Sequence, residues 1–194
     1  PLAFHKHRIR KEFHRQLKEL WNTDKFLKEH KVWPLKYPGA DGQWAHLAPN
    51  AGEMIPLVES ISHQYHEYGY RFVPLVQNRS FLLCSLDILF LRRGPPGNVL
   101  TAGDIDNRIK TIIDCLRRPR DQTELIGDDT IPGPGEDPFF CLLEDGKQIS
   151  HLSVETDTLL DPKTDDDAGL GKAVLVITVE LRPYYVTQFN LSFA

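Results

Sequence analysis

The sequence predicts an α+β fold, α/β-like in its element order: a single mixed β-sheet covered by helices, with an N-terminal helical extension. Three observations predict it. Apolar residues recur at helical spacing over residues 8–30 and again over 104–118. Continuous apolar runs rich in β-branched or aromatic residues stand at 80–91 and 173–181. Clusters of Gly and Pro at 31–56, 94–98 and 132–138 separate these segments. A chain of 194 residues can bury a sizeable core. We read residues 1–60 as a basic helical arm with an irregular connection, and 61–194 as the α/β-like domain.

Taken in order, Ile9, Phe13, Leu17, Leu20 and Trp21 mark one face of a first helix. Asn22-Thr23-Asp24 breaks it, with a cap before Lys25 starting a second. Residues 31–56 carry four prolines and three glycines and read as a long irregular connection. Tyr70–Val76 is a short strand. Ser80–Leu91 is a buried strand with Asp87 as its one charge. Asp104–Arg118 is an amphipathic helix whose stripe is Ile105, Ile109, Ile112, Ile113 and Leu116, stopped by Pro119. Phe139–Leu143 is apolar, Glu144-Asp145-Gly146 is a turn, and Gln148–Leu160 is a strand. Ala173–Leu181 is a strong β-branched strand, and Tyr184–Phe193 is expected to add an edge strand.

The charge is uneven. Residues 1–36 hold ten Lys/Arg against four Asp/Glu, a net of +6, whereas residues 121–167 hold fourteen Asp/Glu against two Lys, a net of −12. This predicts a basic arm facing nucleic acid and an acidic, metal-loading half, or else a helix whose basic residues are simply a solvated face. The whole-chain net charge of −4 is wrong for a protein that coats nucleic acid, so any DNA contact must be local. No apolar run approaches the roughly 18 residues of a membrane span. The first residues lack the apolar stretch of a signal peptide. Cys84, Cys115 and Cys141 are odd in number and lack C-x-x-C spacing, which argues against a disulfide framework and for core thiols in a reducing compartment, the cytoplasm. No P-loop, dinucleotide or H-E-x-x-H pattern occurs, and His63-x-x-His66 lies among tyrosines that suggest packing.

The chemistry-bearing segment is Gly103-Asp104-Ile105-Asp106-Asn107-Arg108-Ile109-Lys110. At 100° per residue, Lys110 falls about 40° and Asp114 about 80° from Asp106, while the apolar stripe centres near −75°. Asp106 and Lys110 therefore sit on the rim between buried face and solvent. Asp104 can join Asp106 on one ion only from extended backbone before the first turn; it can equally cap the helix. A second acidic pair, Glu144-Asp145, follows Leu142-Leu143 at a turn. Should that turn fold against the helix start, three or four carboxylates converge, a donor set suited to Mg²⁺ or Mn²⁺. Lys110 would then stabilise charge on a phosphate.

The order Asp104-Ile105-Asp106-Asn107, then Lys110, then Leu143-Glu144-Asp145 leading into an Ile149-containing strand resembles the RusA family of Holliday-junction resolvases. Members carry Asp-Leu-Asp-Asn, a Lys four residues after the second Asp, and a downstream Leu-Asp-Asp before a strand. The resemblance spans roughly residues 70–182, with its motifs in 104–154. It implies a homodimeric, Mg²⁺-dependent endonuclease that cuts branched DNA in recombination and repair. Carried over, Asp104, Asp106, Lys110 and Asp145 are the catalytic set, and Asp104, Asp106, Asp145 and Glu144 the metal ligands. DNA backbone contacts are expected from Arg92, Arg93, Arg108, Arg117, Arg118 and Arg120. The loop 119–138 is longer than the family's link, the 144–149 stretch has one residue more, and residues 1–60 have no counterpart. The alternative is a RusA-fold protein that binds nucleic acid or a partner without cutting; a weaker third reading is a hydrolase of another phosphate.

Overall fold

A computed structural model describes residues 3–33, 53–92, 105–125, 131–160, 173–187 and 190–193. The fold is α+β. Helices α1 (Ala3–Thr23) and α2 (Lys25–Glu29) precede the strands, and α3 (Leu57–Gln64) and α4 (Ile105–Leu116) stand among them. The strands are β1 (Lys31–Val32), β2 (Ile55–Pro56), β3 (His66–Glu67), β4 (Tyr70–Val76), β5 (Leu82–Arg92), β6 (Phe139–Leu143), β7 (Ile149–Thr158) and β8 (Ala173–Pro183). No helix among the described residues is long and apolar enough to cross a membrane.

The chain divides into two compact units, residues 1–75 with 114–144, and residues 76–113 with 145–194. Residues 1–60, expected as an arm, contribute three helices and a two-residue ladder to the first unit. Instead of the single mixed sheet expected, the described strands form three hydrogen-bonded sheets, β1-β2, β3-β4-β6 and β7-β5-β8. One local cause is the junction after β4. Ser80 Oγ donates to the Gln77 carbonyl and accepts from the Gln77 N–H, closing a 3₁₀ turn at 78–80. Phe81 then turns left-handed at φ 53°. The strands on either side are thereby directed into different sheets.

In the first unit α1 packs on β6, but not by the stripe read from the sequence. Among the described side chains of α1, His7, Arg10, His14 and Trp21 are buried, while Ile9, Phe13 and Leu17 are half-buried and Leu20 is exposed. The inward face is polar because its partners are polar or aromatic. His14 stacks on Phe139 at 4.4 Å between ring centres, His7 at 5.7 Å, and Trp21 lies against Phe140. His14 Nδ1 accepts from the Phe140 N–H (2.8 Å) and its Nε2 lies 3.2 Å from the Gly135 carbonyl, so the ring is held in one tautomer. Burial lowers its pKa and keeps it neutral.

The break after α1 stands where the sequence places it, and the Asp24 side chain accepts from the Leu27 N–H as the cap of α2. Helix α3 falls between the connection at 31–56 and the strand at 70–76, where no element was expected; its signal is Leu57 and Ile61, one turn apart and both buried.

In the second unit β5 is the central strand. It pairs in parallel with β7 and antiparallel with β8 over all eleven residues. Parallel pairing of β5 and β7 demands a crossover, and α4 lies in it. Leu82, Cys84, Leu86, Ile88 and Phe90 alternate along one buried face of β5. Residues 184–187 bend rather than form the edge strand expected there. Asn190 fixes them, its side-chain amide donating to the Ser80 and Tyr185 carbonyls at 2.8 Å.

Candidate functional site

Helix α4 forms because Ile109, Ile112, Ile113 and Leu116 share one stripe, with Thr111 Oγ1 donating to the Asn107 carbonyl (2.7 Å). Ile112, Cys115 and Leu116 are buried, while Asp106, Asn107 and Lys110 are exposed. Asp106 and Lys110 thus stand on the solvent side of the helix, one turn apart. Asp106 lies in the first turn, where the helix dipole favours a negative charge. Asp104 lies outside the described residues.

Asp145 is half-buried, in extended backbone, and caps a single 3₁₀ turn over Gly146–Gln148. Its Oδ1 accepts from the Lys147 N–H at 3.0 Å, and the Gln148 side-chain oxygen accepts the Asp145 N–H at 3.1 Å. A Cβ placed on Gly146 would stand 3.4 Å from Ile113 Cγ2, so this turn rests on α4. Ile113 projects about 20° from Asp106 around the helix, and its Cα lies about 10 Å further along the axis, or about 4–5 Å beyond Lys110. The turn therefore meets the helix near the face that carries Asp106 and Lys110, at its last turn rather than its first. Glu144 is half-buried and falls in the first unit. Among the described residues no three His, Cys, Asp or Glu side chains form a metal-holding group.

The arginines divide. Arg117 is buried, its Nη2 donating to Asp114 and to Glu124 at 2.8 Å and its Nη1 to the Arg118 carbonyl at 2.9 Å. Burial pulls its pKa down, but Glu124 and Asp114 outweigh this and hold it above the ordinary value. Arg118 is half-buried, ion-paired to Glu67, and lies 5.2 Å over the Tyr65 ring. Arg120 is exposed. Arg92 is half-buried at the end of β5, and Arg108 is half-buried on α4. Arg93 lies outside the described residues.

Sequence reasoning missed where the basic residues of α1 go. Lys6 Nζ donates to Asp114 Oδ2 (2.6 Å), Arg10 Nη2 to Glu124 Oε2 (2.8 Å), and Lys18 Nζ to the Gly135 carbonyl (2.7 Å), while Lys11 lies 3.2 Å from Glu136. Much of the +6 charge is matched within the first unit by acids that lie over a hundred residues away. The signal available was the spacing of His7, Arg10, His14 and Trp21, a helix face as regular as the aliphatic one. The three cysteines are free and buried. Burial pushes the thiols up to about 12 for Cys84 and Cys141 and about 11 for Cys115, which leaves them protonated and unreactive near neutrality.

No family model matches this chain, and no curated protein or solved structure matches it.

Proposed function

We propose that the second unit is a RusA-like, Mg²⁺-dependent endonuclease site acting on branched DNA. One observation carries the reading: exposed Asp106 and Lys110 share a face of α4, and the Asp145 turn rests beside that face within the same unit. The donors suit the ion in kind. Mg²⁺ takes hard oxygen ligands, commonly one or two carboxylates with several waters. Asp106 and Asp104 would hold it, with Asp145 as the third acid. When bound, the ion supplies charge neutralisation at the scissile phosphate and a more acidic water. Lys110 would set its ammonium against the phosphate charge. Arg92, Arg108 and Arg120 would engage the DNA backbone; Arg117 serves the fold.

A second reading, a protein of this fold that binds nucleic acid or a partner without cutting, is favoured by one feature: Asp145 already works as a cap. A single set of assays separates the two. The full chain is incubated with a synthetic four-way junction, with and without Mg²⁺, beside Asp106→Asn, Asp145→Ala and Gln148→Ala. The nuclease reading expects Mg²⁺-dependent cutting that Asp106→Asn and Asp145→Ala each lower by at least about a hundredfold, a scale typical of removing a group that acts in the transition state. Gln148→Ala loosens the same cap but should keep cutting. Absence of Mg²⁺-dependent cleavage of any branched or linear DNA by the wild type overturns the proposal.

A further inference from the structure

Two buried histidines, His7 and His14, stand about two turns apart on the inward face of α1. Each accepts a hydrogen bond that only a neutral ring can take. His7 Nδ1 lies 3.3 Å from Arg10 Nη1, and a guanidinium only donates, so this nitrogen carries no proton. Its Nε2 carries the proton and faces the Tyr70 hydroxyl at 3.5 Å. His14 Nδ1 accepts from the Phe140 N–H at 2.8 Å, and a backbone N–H likewise only donates. Its Nε2 faces the Gly135 carbonyl at 3.2 Å. A second proton on either ring must displace the donor already there, a buried guanidinium or the N–H of a buried strand residue. The charges around the rings do not offset this. Near His14, Lys18 opposes a second proton and Glu136 favours it, but Glu136 is engaged by Lys11 and by the Gly133 N–H. Near His7 the facing groups are Arg10 and Tyr70; Arg10 is in turn surrounded by Glu124, Arg117 and the protonated thiols of Cys115 and Cys141. Lys6, one residue before His7, is paired with Asp114.

We propose that α1 is an acid-released helix: it stays on β6 only while His7 and His14 are both neutral, and mild acid detaches it by protonating the two rings. Detachment uncovers β6, whose five residues Phe139–Leu143 are all buried. Burial lowers the His14 pKa, in keeping with this geometry. A histidine kept neutral in the docked state stabilises docking above its solvated pKa, near 6.5, and that contribution is lost as pH falls below it. Each excluded proton raises the opening constant by up to about tenfold per pH unit in that window, and two by up to about a hundredfold. Asp114 and Glu124 keep their charge there, since carboxylates ordinarily titrate near 4. The inference concerns the first unit and stands independently of the nuclease reading.

The test is thiol labelling of the full chain from about pH 7.5 to about pH 5, a span that brackets the ordinary histidine pKa. The probe is a pyridyl disulfide, which keeps its reactivity in acid. Labelled sites are read by mass spectrometry, and rates are divided by those of a small thiol at each pH. Cys115 reports on α1 directly, because its Sγ donates to the Lys6 carbonyl at 3.3 Å, and Cys141 reports on β6. Cys84, buried in the second unit, is the internal control. Labelling of Cys115 and Cys141 should accelerate by between about tenfold and a hundredfold per pH unit below about pH 6.5, while Cys84 stays protected. His7→Asn and His14→Asn each keep an acceptor near the Nδ1 position without a proton to gain. Each should about halve the logarithmic slope, and the two together should abolish it. The wild-type profile stands by itself if a variant misfolds. Labelling of Cys115 and Cys141 that does not accelerate in acid overturns the inference. So does Cys84 labelling in step with them, which marks global unfolding, or a folded double variant that keeps the full slope.

Discussion

Arg10→Ala should destabilise the first unit by about 3–5 kcal/mol, the loss typical of breaking a buried ion pair from one side. The Arg10 side chain is 0% exposed in its ion pair with Glu124. Its Nε donates to the Arg117 carbonyl at 3.1 Å, and its Nη2 to the Asp114 carbonyl at 2.9 Å and to Glu124 at 2.8 Å. Desolvation pulls the guanidinium pKa down, with Glu124 opposing, so the charge is held in place by that carboxylate. Truncation leaves two carbonyls at the end of α4 without this donor, and Glu124 with Arg117 alone. For a chain of this size that loss lowers Tm by roughly 6–20 °C.

The measurement is thermal and urea unfolding beside two comparisons. Arg15→Ala removes an exposed pair with Glu12, whose side chains are 72% and 59% exposed, and should change stability by less than about 0.5 kcal/mol. Arg10→Lys keeps the charge but not the planar fork and should fall between. A cycle with Glu124→Gln should show coupling of the two sites, since they touch. An Arg10→Ala variant no less stable than Arg15→Ala would refute the idea that α1 is tied to the rest of the first unit by charge.

Two further outcomes follow from the same unit and its neighbour. Burial alone would raise the Asp114 pKa, but Lys6 and Arg117 outweigh it and hold the carboxyl below its ordinary range. A depressed acid stabilises the fold above its unfolded pKa, near 4, and that contribution fades as pH falls through the folded value. Asp114→Asn should therefore flatten the loss of stability below about pH 4, read as the urea midpoint against pH; an unchanged acid limb contradicts it. Gly135→Ala should cost about 1 kcal/mol because Gly135 sits at φ +80°, whereas Gly146→Ala meets only Ile113 at 3.4 Å and should stay within about 0.5 kcal/mol. Equal losses in thermal unfolding would contradict both.

What the sequence disclosed follows the range of each interaction. The cap at Asp24, the regular spacing of α4's isoleucines and the bounds of β4, β5 and β8 depend on residues a few positions apart, and they stand within a residue or two of expectation. The inward face of α1 does not. An aliphatic stripe and a His/Arg stripe run along the same helix, and burial goes to the second because Glu124, Asp114 and Phe139 meet it there. Those partners are remote in sequence, so no local period reports them. Division into three sheets is hidden for the same reason, since pairing of β4 with β6 spans β5, α4 and the segments that join them.

The site shows both sides of this rule. A helical wheel alone sets Asp106 and Lys110 on the solvent rim, and both are exposed. Asp145 carried a local signal as well: an acid followed three residues later by Gln148 has the spacing of a capping box, and that box is formed. Asp145 Oδ1 accepts from the Lys147 N–H in the cap, and a carboxylate has two oxygens with about four lone-pair sites, so a cap and a ligand are not exclusive roles by chemistry. What the shared role demands is reach, since the Asp145 turn is anchored beside Ile113, two turns along α4 from Asp106. Asp106→Asn is for this reason the cleaner test of cutting, because Asp145→Ala removes a cap along with the proposed ligand, and only Gln148→Ala, which loosens the same box, separates the two losses.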